Sequence, residues 1–166
     1  MFVLTTPFPP EVDALAALPG VTELLVAHRD LARLGRLDDG GCTDLARAAR
    51  ALGKRVVLVW DLLCGDGAIA DGGALIGRLG PALFDAIRVQ DPGVALYVKE
   101  RFPDLGLQLV LETGNHNTEG ILAWEARFAP ERLVLSNELP LDQLAALRWV
   151  KKNIAAFGWS VTAITR

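Results

Sequence analysis

The sequence predicts an α/β fold built on a parallel sheet: an incomplete (β/α) TIM-type barrel of about seven strands and about six helices. Short apolar segments alternate with amphipathic helical segments along the chain, without a domain break or a low-complexity stretch. Polar residues follow one predicted strand after another, as in a barrel, and no Gly-x-Gly-x-x-Gly motif follows the first strand. We therefore expect residues 1–166 to form a single barrel-like domain.

The first half of the chain is expected to hold three strands and three helices in alternation. In order, these are a strand at 2–6, a helix at 11–18, a strand at 21–27, a helix at 45–52, a strand at 55–63 and a helix at 72–79. The second strand is almost wholly apolar, which is typical of a parallel strand buried on both faces. Thr43 or Asp44 is expected to cap the second helix, and Asp71 the third.

The second half repeats the pattern. In order, the elements are a strand at 83–90, a helix at 91–102, a strand at 107–112, a helix at 115–128, a strand at 132–135, a helix at 140–150 and a strand at 159–165. Asp91-Pro92 is typical of a helix start, because Asp accepts bonds from free backbone N–H groups and Pro fits the first turn. A closed barrel typically takes about 250 residues. We therefore expect an open sheet edge, covered by self-association into a homo-oligomer.

Composition and charge argue against several classes of protein. The net charge is −3, so the overall positive charge of a nucleic-acid-binding protein is missing. No apolar run approaches the roughly 20 residues that span a bilayer, and the N-terminus lacks the basic flank of a signal peptide. The two cysteines, Cys42 and Cys64, are too few for a disulfide framework and form no Cys-x-x-Cys motif. We expect a cytoplasmic protein that binds neither nucleic acid nor membrane.

Polar side chains at the strand ends form the candidate site, because barrel enzymes keep their sites at the carboxyl ends of the strands. The candidate catalytic residues are Asp61, Glu112, His116 and Glu138. The candidate ligand-binding residues are His28, Gln90, Asp91, Asn115 and Asn117. We expect them to converge on one mouth that takes a small molecule or a peptide.

Two kinds of chemistry are open to this set. Its carboxylates and imidazoles could coordinate a divalent metal, or serve as general acid and base once crowding raises one pKa. No His-x-x-x-His spacing supports a metal site, so no residue is assigned as a metal ligand. Structural roles compete: Asp91 and His116 could cap helices, and Glu138 could pair with Arg132 or Arg88.

A hydrolytic pair is a further alternative. Cys64 follows the third strand and could meet His28 or His116 across the mouth, as a nucleophile beside its base. Chance proximity explains the same placement, since no local sequence signature accompanies the cysteine.

Two segments resemble a known family. Residues 87–117 read IRVQDPGVALYVKERFPDLGLQLVLETGNHN, and residues 124–144 read WEARFAPERLVLSNELPLDQL. They are similar to the N-terminal barrel region of the collagenase-like peptidase family U32, which shows a strand ending in Val-x-Asp-Pro-Gly, then Glu-Arg-Phe-Pro-Asp-Leu, then Arg-x-Val-Leu-Ser. This chain has Glu112-Thr113-Gly114 where the family usually has Ser-Thr-Gln.

The resemblance implies a barrel with peptidase activity, or a part in the hydroxylation of tRNA, rRNA or quinone precursors. Members with the latter role hold an iron–sulfur cluster on cysteines of a later motif, which this chain lacks. A second, looser similarity, over residues 52–67, is to antiterminators that respond to glycerol phosphate. Three functions are therefore open: a hydrolase-like or modification-related barrel, a non-catalytic ligand-binding or scaffold barrel, and a metabolite-responsive regulatory barrel.

Overall fold

The computed structural model describes residues 2–5, 20–111, 117–135 and 160–163. The strands are β1 (Phe2–Thr5), β2 (Val21–Ala27), β3 (Arg55–Trp60), β4 (Ala86–Val89), β5 (Gly106–Leu111), β6 (Arg132–Leu135) and β7 (Ser160–Ala163). The helices are α1 (Asp39–Ala51), α2 (Asp66–Leu79), α3 (Pro92–Arg101) and α4 (Thr118–Phe128), with a 3₁₀ turn at Pro81–Leu83. The strands pair in sequence order, each parallel to the next.

Strands β2 to β6 and the four helices form a curled half-barrel. Glu23 on β2 contacts Arg132 on β6, four strands away. Four strand spacings in a flat sheet measure about 19 Å, more than an Arg and a Glu side chain can span together. The sheet must therefore curl until the two strands face each other. This confirms the α/β class and the incomplete barrel, while the helices predicted at 11–18 and 140–150 lie outside the described residues.

Alternation along the strands separates two faces. Outward-facing side chains such as Leu24, Leu58 and Ile87 are fully buried against the helices. Inward-facing side chains such as Val57 and Arg88 line the concave face of the sheet, which we call the lumen. Among the described helices, none is long and apolar enough to cross a membrane.

Two helices begin earlier than predicted. Helix α1 is capped by Asp38, whose carboxylate accepts a bond from the backbone N–H of Gly41, and not by Thr43 or Asp44. Helix α2 begins at Asp66, so that Asp71 lies inside the helix rather than at its cap. In both cases glycines stand within the helix, although glycine weakens helices and is more typical of a connection.

The glycines of α2 have a packing reason. A Cβ atom on Gly72 would lie 2.3 Å from the ring of Trp60, and one on Gly73 would lie 2.0 Å from the hydroxyl oxygen of Tyr97. Both positions therefore admit only hydrogen in this arrangement, which brings α2 close to β3 and α3. The low helix propensity of the segment is offset by this close contact.

Strand β3 ends at Trp60, three residues before the predicted end. The backbone N–H groups of Asp61 and Leu62 both donate to the carbonyl of Leu31, at 3.2 and 3.3 Å. The chain after β3 is thereby bonded to the loop after β2 and leaves the ladder. This connection shapes the rim of the lumen.

Candidate functional site

A cavity of about 170 Å³ opens into the lumen near the carboxyl ends of the strands. Most of its wall is apolar and comes from Leu25, Ala27, Ala32, Val59, Val110 and Val134. Arg88 lies on its floor, while Arg33, Leu34 and Asp61 form part of its rim. An apolar recess with a few placed polar groups is the usual form of a small-ligand site.

The floor of the cavity is a buried network of charged and amide side chains. Arg88 donates through Nε and Nη2 to Oε1 of Gln108, at 3.0 and 2.8 Å, and its Nη2 lies 3.4 Å from Oε1 of Glu23. Gln108 donates to the other oxygen of Glu23, at 3.2 Å, and Arg132 bonds to Oε1 of Glu23. Glu23 is only 1% exposed. Its carboxylate is held between two guanidinium groups, which stabilises a charge that burial alone would disfavour.

Glu131 extends the network toward the amino ends of the strands. Its carboxylate accepts from Gln108, at 3.0 Å, and from Arg55 on β3. A Cβ atom on Gly106 would overlap this carboxylate, so the glycine leaves room for it. Ionic contacts among the described residues therefore fill the lumen below the cavity.

Part of the rim is formed by the loop between β2 and α1, residues 29–37, which we call the rim loop. Asp61 binds this loop through both carboxylate oxygens: Oδ1 accepts from the backbone N–H of Arg33 at 2.7 Å, and Oδ2 lies 3.4 Å from its Nε. Leu34, next in sequence, is 86% exposed and still contributes to the cavity wall. The side chain of Asp61 thus fixes one wall of the cavity.

The predicted site residues divide between the two faces of the sheet. Asp61 and Gln90 continue the inward-facing positions of β3 and β4, on the lumen side. His28, Asp91 and Asn117 bond instead to helix starts and loops. The single mouth expected from the strand ends therefore receives only part of the described set.

His28 is fully buried on the helix side. Its Nε2 lies 3.0 Å from Oδ1 of Asp39, at the start of α1, and its Nδ1 accepts from the backbone N–H of Asp30 at 3.1 Å. Nδ1 as an acceptor places the ring proton on Nε2 in the neutral ring. Burial pushes the pKa of Asp39 upward, but the hydrogen bond from His28 and the charge of Arg78 outweigh it and lower the pKa. The histidine anchors the base of the rim loop.

Asp91 and Asn117 cap helices. Oδ1 of Asp91 accepts from the N–H groups of Gly93 and Val94, at 2.7 and 3.0 Å, at the start of α3. Its Oδ2 accepts from the backbone N–H of Cys64, at 3.3 Å. The side chain of Asn117 accepts from the N–H of Gly120 at 2.7 Å, at the start of α4. Ligand binding by these residues stays a prediction. The other four candidates, Glu112, Asn115, His116 and Glu138, lie outside the described residues.

Metal chemistry receives no support from the part of the chain that the structure describes. No three His, Cys, Asp or Glu side chains come together there as a metal site. An iron–sulfur cluster needs several thiolates, whereas Cys42 and Cys64 are the two cysteines of the chain. Burial, with the charges of Asp39 and Asp38, raises the pKa of Cys42 to about 12, so this thiol stays protonated. The residues of this chain do not fit a cluster.

Sequence reasoning missed the residues that shape the lumen. Glu23, Gln108 and Arg33 were not singled out, and Arg88 was considered only as a partner for Glu138. A usable signal exists: Glu23, Arg88 and Gln108 each interrupt an apolar strand at an inward-facing position. A charged side chain in a strand buried on both faces needs a partner there.

Comparison with known proteins identifies sequences that are similar to parts of this chain. Residues 31–162 match the profile of peptidase family U32. The chain is 31% identical over 64 residues to the tRNA hydroxylation protein P of Haemophilus influenzae, covering 39% of this chain and 14% of that protein. It is 31% identical over 109 residues to carboxylesterase 1C of Rattus norvegicus, covering 66% of this chain and 15% of that protein.

A solved structure shares the fold. The U32 peptidase Mk0906 superposes with a TM-score of 0.67 at 15% identity, over 97% of this chain and 66% of that one. The chain thus spans less than two thirds of the length of the relatives it matches. The profile match covers most of the sequence, and it includes β3 to β6 and the cavity rim. The chain belongs to peptidase family U32.

Proposed function

We propose that this chain is the barrel part of a protein that acts in nucleoside modification, and that its cavity receives one planar six-membered ring. The size of the cavity carries the proposal. An apolar cavity of about 150 Å³ holds benzene, and the cavity here measures about 170 Å³. A pyrimidine ring, which is close to benzene in size, matches this space better than the two fused rings of a purine do.

The lining suits such a ring. Its faces would lie against aliphatic side chains such as Val59, Val110 and Val134. The guanidinium group of Arg88 lies on the floor, and its positive charge suits the carbonyl oxygens on the edge of a pyrimidine. Binding a flipped base between apolar walls, with polar groups at its edge, is how enzymes that modify nucleic acids hold their target.

The relatives support the same class of reaction. One of them is named a tRNA hydroxylation protein, and this chain aligns with 14% of its length. The net charge of −3 does not favour broad contact with a phosphate backbone. We therefore assign binding of the base ring to this chain, and not binding of the RNA phosphate backbone.

Peptide hydrolysis is less well supported, although the family and the solved relative carry that name. Both ring nitrogens of His28 are engaged by Asp39 and Asp30, so this histidine does not face Cys64. The thiol of Cys64 lies 3.5 Å from the carbonyl of Leu62. The sequence also lacks the Gly-x-Ser-x-Gly motif of esterases.

Ring binding is tested with free bases and a variant that fills the cavity. Saturation-transfer NMR should detect uracil on the wild-type chain and a much weaker signal for adenine. Ala27→Leu adds bulk to the cavity wall and should lower uracil binding about tenfold or more. Ala74→Leu makes the same exchange on the exposed surface of α2 and should leave binding unchanged. Absence of uracil binding to the wild type would overturn the proposal.

The reaction itself is tested in the cell. RNA from a strain without the gene should lack a nucleoside heavier by one oxygen atom, as mass spectrometry of digested RNA would show. The complete gene should restore it, and the gene carrying Ala27→Leu should not. An unchanged nucleoside profile in the deletion strain would instead favour ring binding without turnover.

A further inference from the structure

We propose that Asp61 is a positioning residue that sets the ring selectivity of the cavity, rather than a general base. The inference deepens the proposed function, because it takes the cavity to be the binding site. It rests on a separate observation: the end of β3 is bonded to the rim loop through the carboxylate of Asp61 and through the backbone N–H groups of Asp61 and Leu62.

Four contacts join the end of β3 to the rim loop. The Asp61 carboxylate receives the backbone N–H of Arg33 at 2.7 Å and the Nε of the same residue at 3.4 Å. In return, the N–H groups of Asp61 and Leu62 donate to the carbonyl of Leu31. Because both oxygens of Asp61 face the loop, the carboxylate is aimed at the wall of the cavity rather than at its centre.

The fastened segment forms one wall of the cavity. Ala32, Arg33 and Leu34 all line the cavity, and Asp61 binds the middle residue of the three. The opposite walls stand on strands β5 and β6, through Val110 and Val134, and cannot move without breaking the sheet. The distance between the loop and these strands therefore decides whether one ring or two can enter, and Asp61 sets that distance.

The base of the rim loop is held independently. His28 receives the N–H of Asp30 and bonds to Asp39, and the N–H of Arg29 donates to the carbonyl of Leu37 at 2.9 Å. Loss of the Asp61 carboxylate should therefore release the loop at Arg33 and Leu34, while its two ends and the backbone bonds to the carbonyl of Leu31 stay in place. The change in amide exchange should therefore be confined to the middle of the rim loop.

Amide hydrogen exchange measures the contact between Asp61 and the rim loop directly, without any ligand. In Asp61→Ala the amide of Arg33 loses its acceptor, and its protection should fall about tenfold or more. The amide of Gly41, which also donates to an aspartate side chain at 2.8 Å, should exchange as in the wild type. Asp61→Asn keeps an oxygen for the Arg33 N–H and should retain most of the protection.

Ligand selectivity provides the second readout. Asp61→Ala should bind adenine at least tenfold better relative to uracil than the wild type does, since the wall can retreat. Asp61→Asn should keep the selectivity of the wild type, and so should Asp71→Ala, a control on the exposed surface of α2. A role as a base predicts the same unchanged selectivity for Asp61→Asn, but with loss of the modified nucleoside in the cell.

The outcomes separate this inference from the proposed function. Unchanged Arg33 exchange in Asp61→Ala, or unchanged selectivity, overturns the positioning role. Loss of the modified nucleoside in Asp61→Asn, with normal exchange and selectivity, also overturns it and marks a charge-dependent step. Failure of the wild type to bind either base overturns the proposed function. The amide exchange of Arg33 in Asp61→Ala then shows, without a ligand, whether Asp61 holds the rim loop. Circular dichroism on each variant shows whether the fold is intact.

Discussion

The two faces of the sheet are stabilised by different interactions: apolar packing on the helix side and a charged network on the lumen side. The helix side is one continuous apolar cluster, in which Trp60, Leu58 and Ile76 are among the largest fully buried side chains. Among the described residues, the lumen side has a smaller apolar cluster, and a charged network fills the space beneath the cavity. Apolar packing tolerates many sequences that conserve volume, whereas a buried charge depends on its particular partners. We therefore expect the lumen to be the more sensitive face.

The largest expected effect comes from Glu23. Glu23→Ala removes the carboxylate shared by Arg88 and Arg132 and leaves buried positive charge uncompensated. Breaking a buried ion pair in this way costs about 3–5 kcal/mol. Urea unfolding followed by circular dichroism measures the loss.

The matched control for Glu23 is Glu100→Ala, which removes the same side chain from an exposed position on α3 and should change stability by less than about 0.5 kcal/mol. Leu58→Ala, on the helix side of β3, is expected to cost about 2–5 kcal/mol through a cavity. If Glu23→Ala costs as little as Glu100→Ala, the ionic network does not support the half-barrel.

A smaller effect, on the helix side, distinguishes two glycines of α2. Gly72→Ala would place a methyl group 2.3 Å from the Trp60 ring and should destabilise the protein by about 1–3 kcal/mol. Gly77→Ala meets no atom within 4 Å and should stabilise it by about 0.5–1 kcal/mol through helix propensity. Thermal unfolding of the two variants compares them. Equal shifts for both would show that the contact with Trp60 can relax.

The smallest effect concerns Asp91, a predicted ligand-binding residue that caps α3. Asp91→Ala should cost about 0.5–2 kcal/mol, and Asp91→Asn much less, since Asn caps helices nearly as well. Chemical denaturation gives both values. A ligand-binding role would appear as weaker uracil binding by Asp91→Asn at unchanged stability.

The fold could be predicted from the sequence because its signals are local. The apolar strands β2 and β3 and the Asp91-Pro92 helix start each depend on a few adjacent residues, and the structure contains all three. The start of α2 could not be predicted in this way, because Gly72 and Gly73 are explained by Trp60 and Tyr97, which are distant in sequence.

The site was predicted less well than the fold, for a similar reason. Position at a strand end was a sound criterion for Asp61 and Gln90, which lie on the lumen side. It did not say which way a side chain points once the strand has ended. His28 and Asp91 come at the ends of β2 and β4 and bond toward the helices. Counting inward and outward positions along each strand would have separated the two groups.

The contact between Glu23 and Arg132 also has a consequence for synthesis. The two residues are 109 positions apart, while Arg88 follows Glu23 by 65. At a translation rate of about 5–20 residues per second, the ribosome needs roughly 5–20 s to add Arg132 after Glu23. Of its two guanidinium partners in the folded protein, Glu23 therefore has only Arg88 available before Arg132 is added. The closing contact of the half-barrel thus becomes available only once β6 has been made, and a nascent chain halted before β6 would lack one of the two guanidinium contacts of Glu23.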